Sequence, residues 1–326
     1  MHLAFLDMVD PRIREEIGRL LPAGWQLSCT ASNDESDREA AAANADIAMI
    51  IGTGIDRSLL EKAPKLRFVQ KLGAGVDNVD PVACQQHGVG VARLQAGNAG
   101  QVAEHTIMLM LAALRRLPYF DSKTREGRWL RAQGRATQRQ LAGKTVGIIG
   151  LGAIGKEVAR RLAGFDVDVI YYDIRRPDKE TEARLNVRFS DFPDLLSGSD
   201  IVSLHTPLTA QTLNMLDARH IDMMKPGATI VNCARGGLID EDALRRALDS
   251  GTVFAAGLDT FSVEPLRGSP LLDRDEVVLT PHLAGATLEN FVKIFERGVT
   301  NIELFLSGQP LPDGELCIPD DYGWSN

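Results

Sequence analysis

The sequence predicts an α/β protein of two doubly wound parallel-sheet domains, the second inserted into the first. Three observations carry that prediction. Short apolar, β-branched runs alternate with helical stretches along nearly all of the 326 residues, which is the rhythm of βαβ units. The rhythm occurs twice, once up to about residue 97 and again from Lys144 to about Pro281, with one long apolar helical segment before the second series. The stretch beyond the second series is too short for a third domain, so it is expected to return to the first.

The first series opens with the strand LAFLDM and a helix from Pro11 to about Leu21. WQLSCT, IAMII, RFVQKLG and VGVARL are the next strands. DESDREAAAANA, DRSLLEKAP and PVACQQHG between them read as helices, each with Asp, Ser or Pro as a start signal. QVAEHTIMLMLAALRRL forms a long helix from about Gly100 to Leu117. It is apolar round most of its circumference and so is expected to be buried; Pro118 ends it. The stretch to about Gln140 is basic, with Lys123, Arg125, Arg128, Arg131, Arg135 and Arg139 against one glutamate, Glu126. VGIIG, VDVIYYD, DIVSLHT, ATIVNCA, VFAAGLD and EVVLTPH are the strands of the second series. A helix from Thr287 to Ser307 then precedes a Pro/Gly-rich tail. The chain crosses near Asn98 and Ala284, which is expected to make a hinge with a cleft between the lobes. The domains are accordingly set at 1–97 plus 285–326, and 98–284.

Composition narrows the function classes. The chain is 44% hydrophobic and 25% charged, with a net charge of −8, which argues against non-specific nucleic-acid binding. No segment resembles a signal peptide or reaches membrane-spanning length, so a cytoplasmic protein is expected. Cys29, Cys84, Cys233 and Cys317 are scattered without C-x-x-C spacing and read as reduced thiols. Neither a disulfide frame nor a metal site is predicted.

The second series begins with the most informative motif. Gly150, Gly152 and Gly155 form G-x-G-x-x-G directly after an apolar strand, with Ala153 and Ile154 opening the helix, and Asp173 stands eighteen positions beyond Gly155 at the end of the next strand. Each part has a physical use in binding a dinucleotide. Gly150 permits the tight turn, Gly152 lets a pyrophosphate approach the backbone, and Gly155 lets helix and strand pack closely. The helix start presents N–H groups and a positive dipole end to the phosphates. Asp173 accepts from a ribose 2′-hydroxyl and repels a 2′-phosphate, so NAD is favoured over NADP. Arg175 and Arg176 follow it, however, and keep NADP open as the alternative. The second domain is therefore a Rossmann domain.

Three polar residues stand just past strands of the same half: Arg235 after TIVNCA, Glu264 after AAGLDTFSV, and His282 after EVVLTP. Strand C-terminal ends share one rim of a parallel sheet, so the three are expected to meet. They suit hydride chemistry on a 2-oxo or 2-hydroxy acid. Arginine presents a planar, permanently charged fork to a carboxylate. Histidine gives or takes a proton near neutral pH, and a glutamate beside it favours the imidazolium and orients the ring. His205 reads as structural or as an edge of the cofactor site. His2, His87, His105 and His220 read as structural, and Cys233 as a packing thiol.

NCARGGLIDEDAL, GLDTFSVEP, TPHLAGAT, GLGAIG, the HTPLT segment, GAGVDNVD at 73–80 and AGNAGQVAEHTI at 96–107 are spread along most of the chain. Together they resemble the D-isomer-specific 2-hydroxyacid dehydrogenases, in which such motifs occur in the same order. The resemblance implies that Arg235 holds the substrate and polarises its keto oxygen, with His282 as acid/base and Glu264 as its partner. The backbone at Ala74, Gly75 and Val76 would bind the substrate carboxylate in a flavodoxin-like first domain. Asn98 would lie at the hinge, among the substrate-binding positions. Asp259 would bond the nicotinamide carboxamide, and Thr206, Cys233, Ala234 and Gly285 would line the cofactor. A homodimer is also implied.

The substrate is less sharply implied. Several phosphoglycerate dehydrogenases of the family carry a further C-terminal domain and an arginine in the loop after the third strand. Here that loop is Gly52-Thr53-Gly54, which favours small substrates such as glyoxylate or hydroxypyruvate. The basic segment 123–139 reads as a solvated or dimer-contact loop, or alternatively as a funnel for anionic substrates. Two other functions stay open. One is an NAD-sensing interaction protein of the same fold. The other is a phosphite dehydrogenase, which shares the Arg/Glu/His arrangement. The formate dehydrogenase branch is set apart because it lacks the glutamate found at Glu264.

Overall fold

The computed structural model describes residues 1–95 and 97–317. Ala96, the first residue of the 96–107 motif, and residues 318–326, the end of the stretch assigned to the first domain, lie outside the described residues. The described chain forms two compact units. One holds Met1–Asn98 and the chain from Thr287 onward; the other is Ala99–Ala286.

In the first unit β1 (His2–Phe5), β2 (Gln26–Cys29), β3 (Ile47–Ile50), β4 (Phe68–Lys71) and β5 (Gly90–Ala92) pair in parallel in the order β2-β1-β3-β4-β5. Connecting helices are α1 (Pro11–Leu20), α2 (Glu35–Ala42), α3 (Arg57–Lys62) and α4 (Pro81–Gln86). Three of them start on an aspartate whose carboxylate takes a first-turn N–H: Asp10 from Arg12, Asp56 from Leu59 and Asp80 from Ala83. Such caps are each worth about 1 kcal/mol. The sheet is buried on both faces. Leu3 and Phe5 enter one apolar cluster, whereas Ala4 and Leu6 enter the other, as the two-residue period of a strand dictates.

The second unit opens on α5 (Ala99–Arg115), which buries ten of its residues. Pro118 does not simply end this helix. Arg116 makes a left-handed turn (φ 48°), and α6 (Leu117–Arg125) begins at once with Pro118 in its first turn, where the missing N–H has no intrahelical partner to lose. The basic stretch is therefore helical, continuing into α7 (Arg131–Thr137). The series then runs β6 (Thr145–Ile149), α8 (Ala153–Leu162), β7 (Asp168–Tyr172), α9 (Lys179–Leu185), β8 (Val187–Phe189), α10 (Phe192–Gly198), β9 (Ile201–Leu204), α11 (Ala218–Asp222), β10 (Ala228–Asn232), α12 (Glu241–Ser250), β11 (Val253–Leu258) and β12 (Val277–Leu279).

All seven strands are parallel, in the order β12-β11-β10-β9-β6-β7-β8. Strand order reverses between β6 and β9, and ligands of open α/β sheets bind at such a switch point. Ile148 faces one apolar cluster and Ile149 the other. Strand β8 is absent from the sequence-based reading: three edge residues with one buried side chain give too short a pattern.

The chain closes with α13 (Leu288–Leu306). Phe291, Ile294, Phe295, Val299 and Ile302 form its apolar stripe and pack with Leu3, Phe5 and Phe68 of the first unit. Glu315, 2% exposed, fastens the following segment. It accepts from the Gln95 N–H at 3.1 Å and from Asn301 Nδ2 at 2.8 Å, and pairs with Arg297. Among the described residues no helix is long and apolar enough to cross a membrane, and no group of His, Cys, Asp or Glu is placed to hold a metal ion.

Candidate active site

The switch point carries the glycine motif. Gly150 follows β6 at φ 95°, and a Cβ there would lie 2.7 Å from the His205 carbonyl oxygen. A Cβ at Gly155 would fall 2.1 Å from the Gly150 carbonyl oxygen, so only glycine allows α8 to sit this close to its strand. Gly152 caps α8 without a capping side chain, and the space beside it is open. The first-turn N–H groups at Ala153 and Ile154 are thus left to an anion. Asp173 accepts from the Leu151 N–H at 2.7 Å and from the Arg175 N–H at 2.8 Å, which places its carboxylate directly beside the loop. These features fit a dinucleotide. Of the two arginines suited to a 2′-phosphate, Arg176 is committed elsewhere. It pairs with Glu182 through two bonds, at 2.7 and 3.1 Å, and lies 4.9 Å from the Phe189 ring centre.

His205 and Thr206 face Gly150 across the switch point. His205 Nε2 lies 2.8 Å from Ser203 Oγ, and burial pushes the imidazole down to about 3, so the ring is neutral. Cys233, at the end of β10, is buried, and burial pushes its thiol up to about 12. Burial of this kind disfavours the thiolate that a nucleophile needs.

Arg235, Glu264 and His282 come together at the C-terminal ends of β10, β11 and β12. His282 Nδ1 lies 2.8 Å from Glu264 Oε2. An ionised carboxylate offers only acceptors, so Nδ1 carries the proton and Nε2 is left for a ligand. Burial pushes the Glu264 carboxyl up. Its bond with His282, the Phe261 N–H at 3.0 Å, and the charges of His282 and Arg235 together outweigh burial and hold it below its ordinary value. Asn232 braces the arginine's backbone, with Nδ2 donating to the Arg235 carbonyl at 2.8 Å and Oδ1 accepting from the Ala234 N–H at 3.0 Å. The Arg235 guanidinium also donates to the Ala234 carbonyl at 2.7 Å.

Sequence reasoning did not see what holds His282. Its backbone is left-handed, φ 53°, a strained conformation for a non-glycine residue. The His282 N–H donates to the Asp259 carbonyl at 2.8 Å. The fully buried Asp259 carboxylate accepts the Leu283 and Ala284 N–H groups and the Thr280 hydroxyl, at 2.8, 2.8 and 2.6 Å. His105, read from sequence as structural, reaches this group from α5: its Nε2 is 3.0 Å from Thr280 Oγ1 and 3.4 Å from Asp259 Oδ1. The one available signal was a carboxylate directly after the apolar run of β11. Gly285 belongs to the same turn.

In the first unit, Ala74, Gly75 and Val76 follow β4 in an irregular loop. Nearby, the Asp7 carboxylate takes three successive N–H groups, of Ile51, Gly52 and Thr53, at 2.5, 2.6 and 2.9 Å. Asn78 Nδ2 donates to the Gly52 and Thr53 carbonyls, and Lys71, which is buried, bonds the Ile51 carbonyl. The 51–54 loop is thus fixed by a carboxylate and carries no basic side chain. Asn98 ends this unit and is half-buried.

Residues 107–284 match the family model of the D-isomer specific 2-hydroxyacid dehydrogenase NAD binding domain. Among relatives, the chain is 40% identical over 284 residues to a D-3-phosphoglycerate dehydrogenase of Mycobacterium tuberculosis, a match covering 86% of this chain and 53% of that one. The chain therefore spans about half the length of that relative. It is 38% identical over 262 residues to a glyoxylate reductase of Thermofilum pendens, covering 79% of this chain and 77% of the relative. Among solved structures, an NAD-dependent formate dehydrogenase from Staphylococcus aureus in complex with NAD superposes with a TM-score of 0.85 at 30% identity, over 97% of this chain and 98% of that one.

Proposed function

The chain belongs to the D-isomer-specific 2-hydroxyacid dehydrogenase family, and from that premise we propose that it moves a hydride between NAD(H) and a small D-2-hydroxy acid or 2-oxo acid. The observation that carries the reading is the His282–Glu264 pair, 2.8 Å apart, with the Arg235 charge acting on the same carboxylate. In reduction the imidazolium of His282 gives its Nε2 proton to the keto oxygen. Glu264 favours that charged ring and fixes its orientation. Arg235 polarises the keto oxygen and stabilises the negative charge that develops there. In oxidation neutral His282 removes the hydroxyl proton through the same nitrogen.

The remaining residues bind and orient. The resemblance assigns Asp259 to the nicotinamide carboxamide, although its carboxylate is fully buried beneath the turn at His282, and Thr206, Cys233, Ala234 and Gly285 would line the cofactor. Asp173 would receive the ribose hydroxyl. The backbone of Ala74, Gly75 and Val76, with Asn98, serves the substrate carboxylate. Small acids such as glyoxylate or hydroxypyruvate are favoured because the 51–54 loop offers no cation to a distal phosphate. The identity to a phosphoglycerate dehydrogenase supports 3-phosphoglycerate as the second reading.

Helix α6 buries none of its side chains, and Trp129 beyond it is 81% exposed. The 117–139 segment is therefore read as the contact of a cytoplasmic homodimer, which light scattering of the purified protein checks. The reaction itself is tested by following NADH and NADPH absorbance with a panel of 2-oxo acids, from glyoxylate and hydroxypyruvate to phosphohydroxypyruvate. A clear kcat/KM preference for one acid supports the reading and names the substrate. Absence of turnover with every acid overturns it.

A further inference from the structure

Glu241 opens α12, six residues after Arg235, and its carboxylate reaches the loop that carries Glu264. Oε1 accepts from the Ser262 N–H at 2.8 Å and from Ser262 Oγ at 2.7 Å; Oε2 accepts from Ser269 Oγ at 3.2 Å. The neighbouring N–H, of Phe261, donates to Glu264 itself at 3.0 Å. Two successive backbone donors are thus shared between two glutamates, one on each side of the loop. The two segments also meet at Gly236. A Cβ there would fall 1.8 Å from the Phe261 carbonyl carbon, so the chain after Arg235 lies flush against the chain before Glu264.

We infer that Glu241 is a positioning residue, which ties the Arg235 segment to the Glu264 loop and so sets the Glu264–His282 hydrogen bond. The inference rests on the acid/base reading of His282. Without Glu241, the Ser262 N–H, next along the chain from the Phe261 N–H that Glu264 accepts, loses its acceptor. The loop between Ser262 and Ser269 also loses its fastening at both ends. Glu264, 36% exposed in its side chain, is held on the imidazole side through this loop, by the Phe261 N–H. Once the loosened loop carries Glu264 off the imidazole, Nδ1 of His282 has no fixed acceptor, and the ring returns to the tautomer mixture set by solvent.

The test compares wild type, Glu241→Ala, Glu241→Gln and Ser269→Ala in the full chain. One readout is the nitrogen spectrum of labelled histidine, with His282 assigned by its own substitution and the ring kept neutral. The other is kcat and KM for the best 2-oxo acid, at a temperature where melting curves show every variant folded. Glu241→Ala is expected to convert His282 from the Nδ1–H form to a mixture. It should also lower kcat about 10- to 100-fold with KM nearly unchanged, the pattern of a misplaced acid. Glutamine keeps an acceptor for Ser262 and can donate to the Ser269 hydroxyl, so Glu241→Gln restores both readouts to within about 3-fold of wild type. Ser269→Ala, which removes one bond only, moves both readouts the same way by a smaller factor. A Glu241→Ala protein with the wild-type tautomer and kcat overturns the inference, as does a Ser269→Ala protein that moves neither readout if the alanine variant does not fold. The tautomer comparison needs no substrate. A wild type that turns over no 2-oxo acid therefore sinks the acid/base reading while the spectra still judge Glu241.

Discussion

The main-chain N–H of His282 donates to the carbonyl of Asp259 at 2.8 Å, and the Asp259 carboxylate holds the two N–H groups next along the chain. One buried residue thus fixes the left-handed turn that delivers the imidazole. A histidine on an unsupported turn would relax towards an unstrained conformation and carry its ring away from Glu264. His105, the Thr280 hydroxyl and the Leu283 and Ala284 N–H groups also explain why a carboxylate can remain ionised at zero exposure.

Substituting Asp259→Asn therefore damages both stability and catalysis. An amide supplies one oxygen where two were used, so at least one buried N–H or hydroxyl loses its partner. We expect a loss of about 1–3 kcal/mol and a fall in kcat of about 100-fold, read by denaturant titration and by steady-state kinetics. Burial pushes the Asp259 carboxyl up, but its hydrogen bonds hold it below the ordinary 3.8. The stability it contributes is then fully present above that ordinary value and is lost as pH falls through the lower folded value. The stability gap between wild type and variant should be constant near neutrality and shrink in acid. A gap that widens in acid contradicts this account.

Glu264→Gln removes the charge that favours the imidazolium. The proton donor of the reduction is then depleted at lower pH, so the alkaline limb of kcat/KM moves down. Both partners are partly exposed, at 49% and 36%, so solvent screening keeps the displacement small. An unchanged profile would remove Glu264 from the role of partner.

Asp173→Ala should weaken NADH binding more than NADPH binding, as measured by cofactor fluorescence. The wild-type carboxylate accepts from the ribose hydroxyl but opposes a phosphate at that position. Equal effects on the two cofactors would refute the contact.

Cys233 should resist alkylation at about pH 8, because a thiol pushed up to about 12 presents almost no thiolate there. Mass spectrometry after iodoacetamide treatment checks this, and Cys233→Ala should keep most of the wild-type kcat.

Much of this architecture is legible in the sequence because its signals are local. The run before Gly150 with Asp173 beyond it marks a βαβ unit whose glycines have no substitute. Arg235, Glu264 and His282 are each visible as a polar residue three to six positions past an apolar strand, and parallel topology places strand ends on one rim. The features that stay hidden depend on contacts between distant positions. His105 reaches Asp259 across more than 150 residues, and neither stands in a motif that names the other. The Asp7 carboxylate fills the turn at 51–53 from 44 to 46 positions away. Glu241 looks like an ordinary acidic residue at a helix start, which it also is. Helix α6 is hidden for a different reason: Pro118 is as good a first-turn residue as it is a helix terminator, and only the left-handed turn at Arg116 decides between them.

The most direct test of the central claim, that His282 is the acid/base of a 2-oxo acid reductase, follows NADH consumption by wild type and His282→Gln with the preferred acid from the panel. NADH binding is measured on the same samples. The variant is expected to lose about 10²- to 10⁴-fold in kcat while binding NADH as wild type does. A variant that keeps its kcat, or a wild type that binds NADH tightly yet reduces no 2-oxo acid, would contradict the claim.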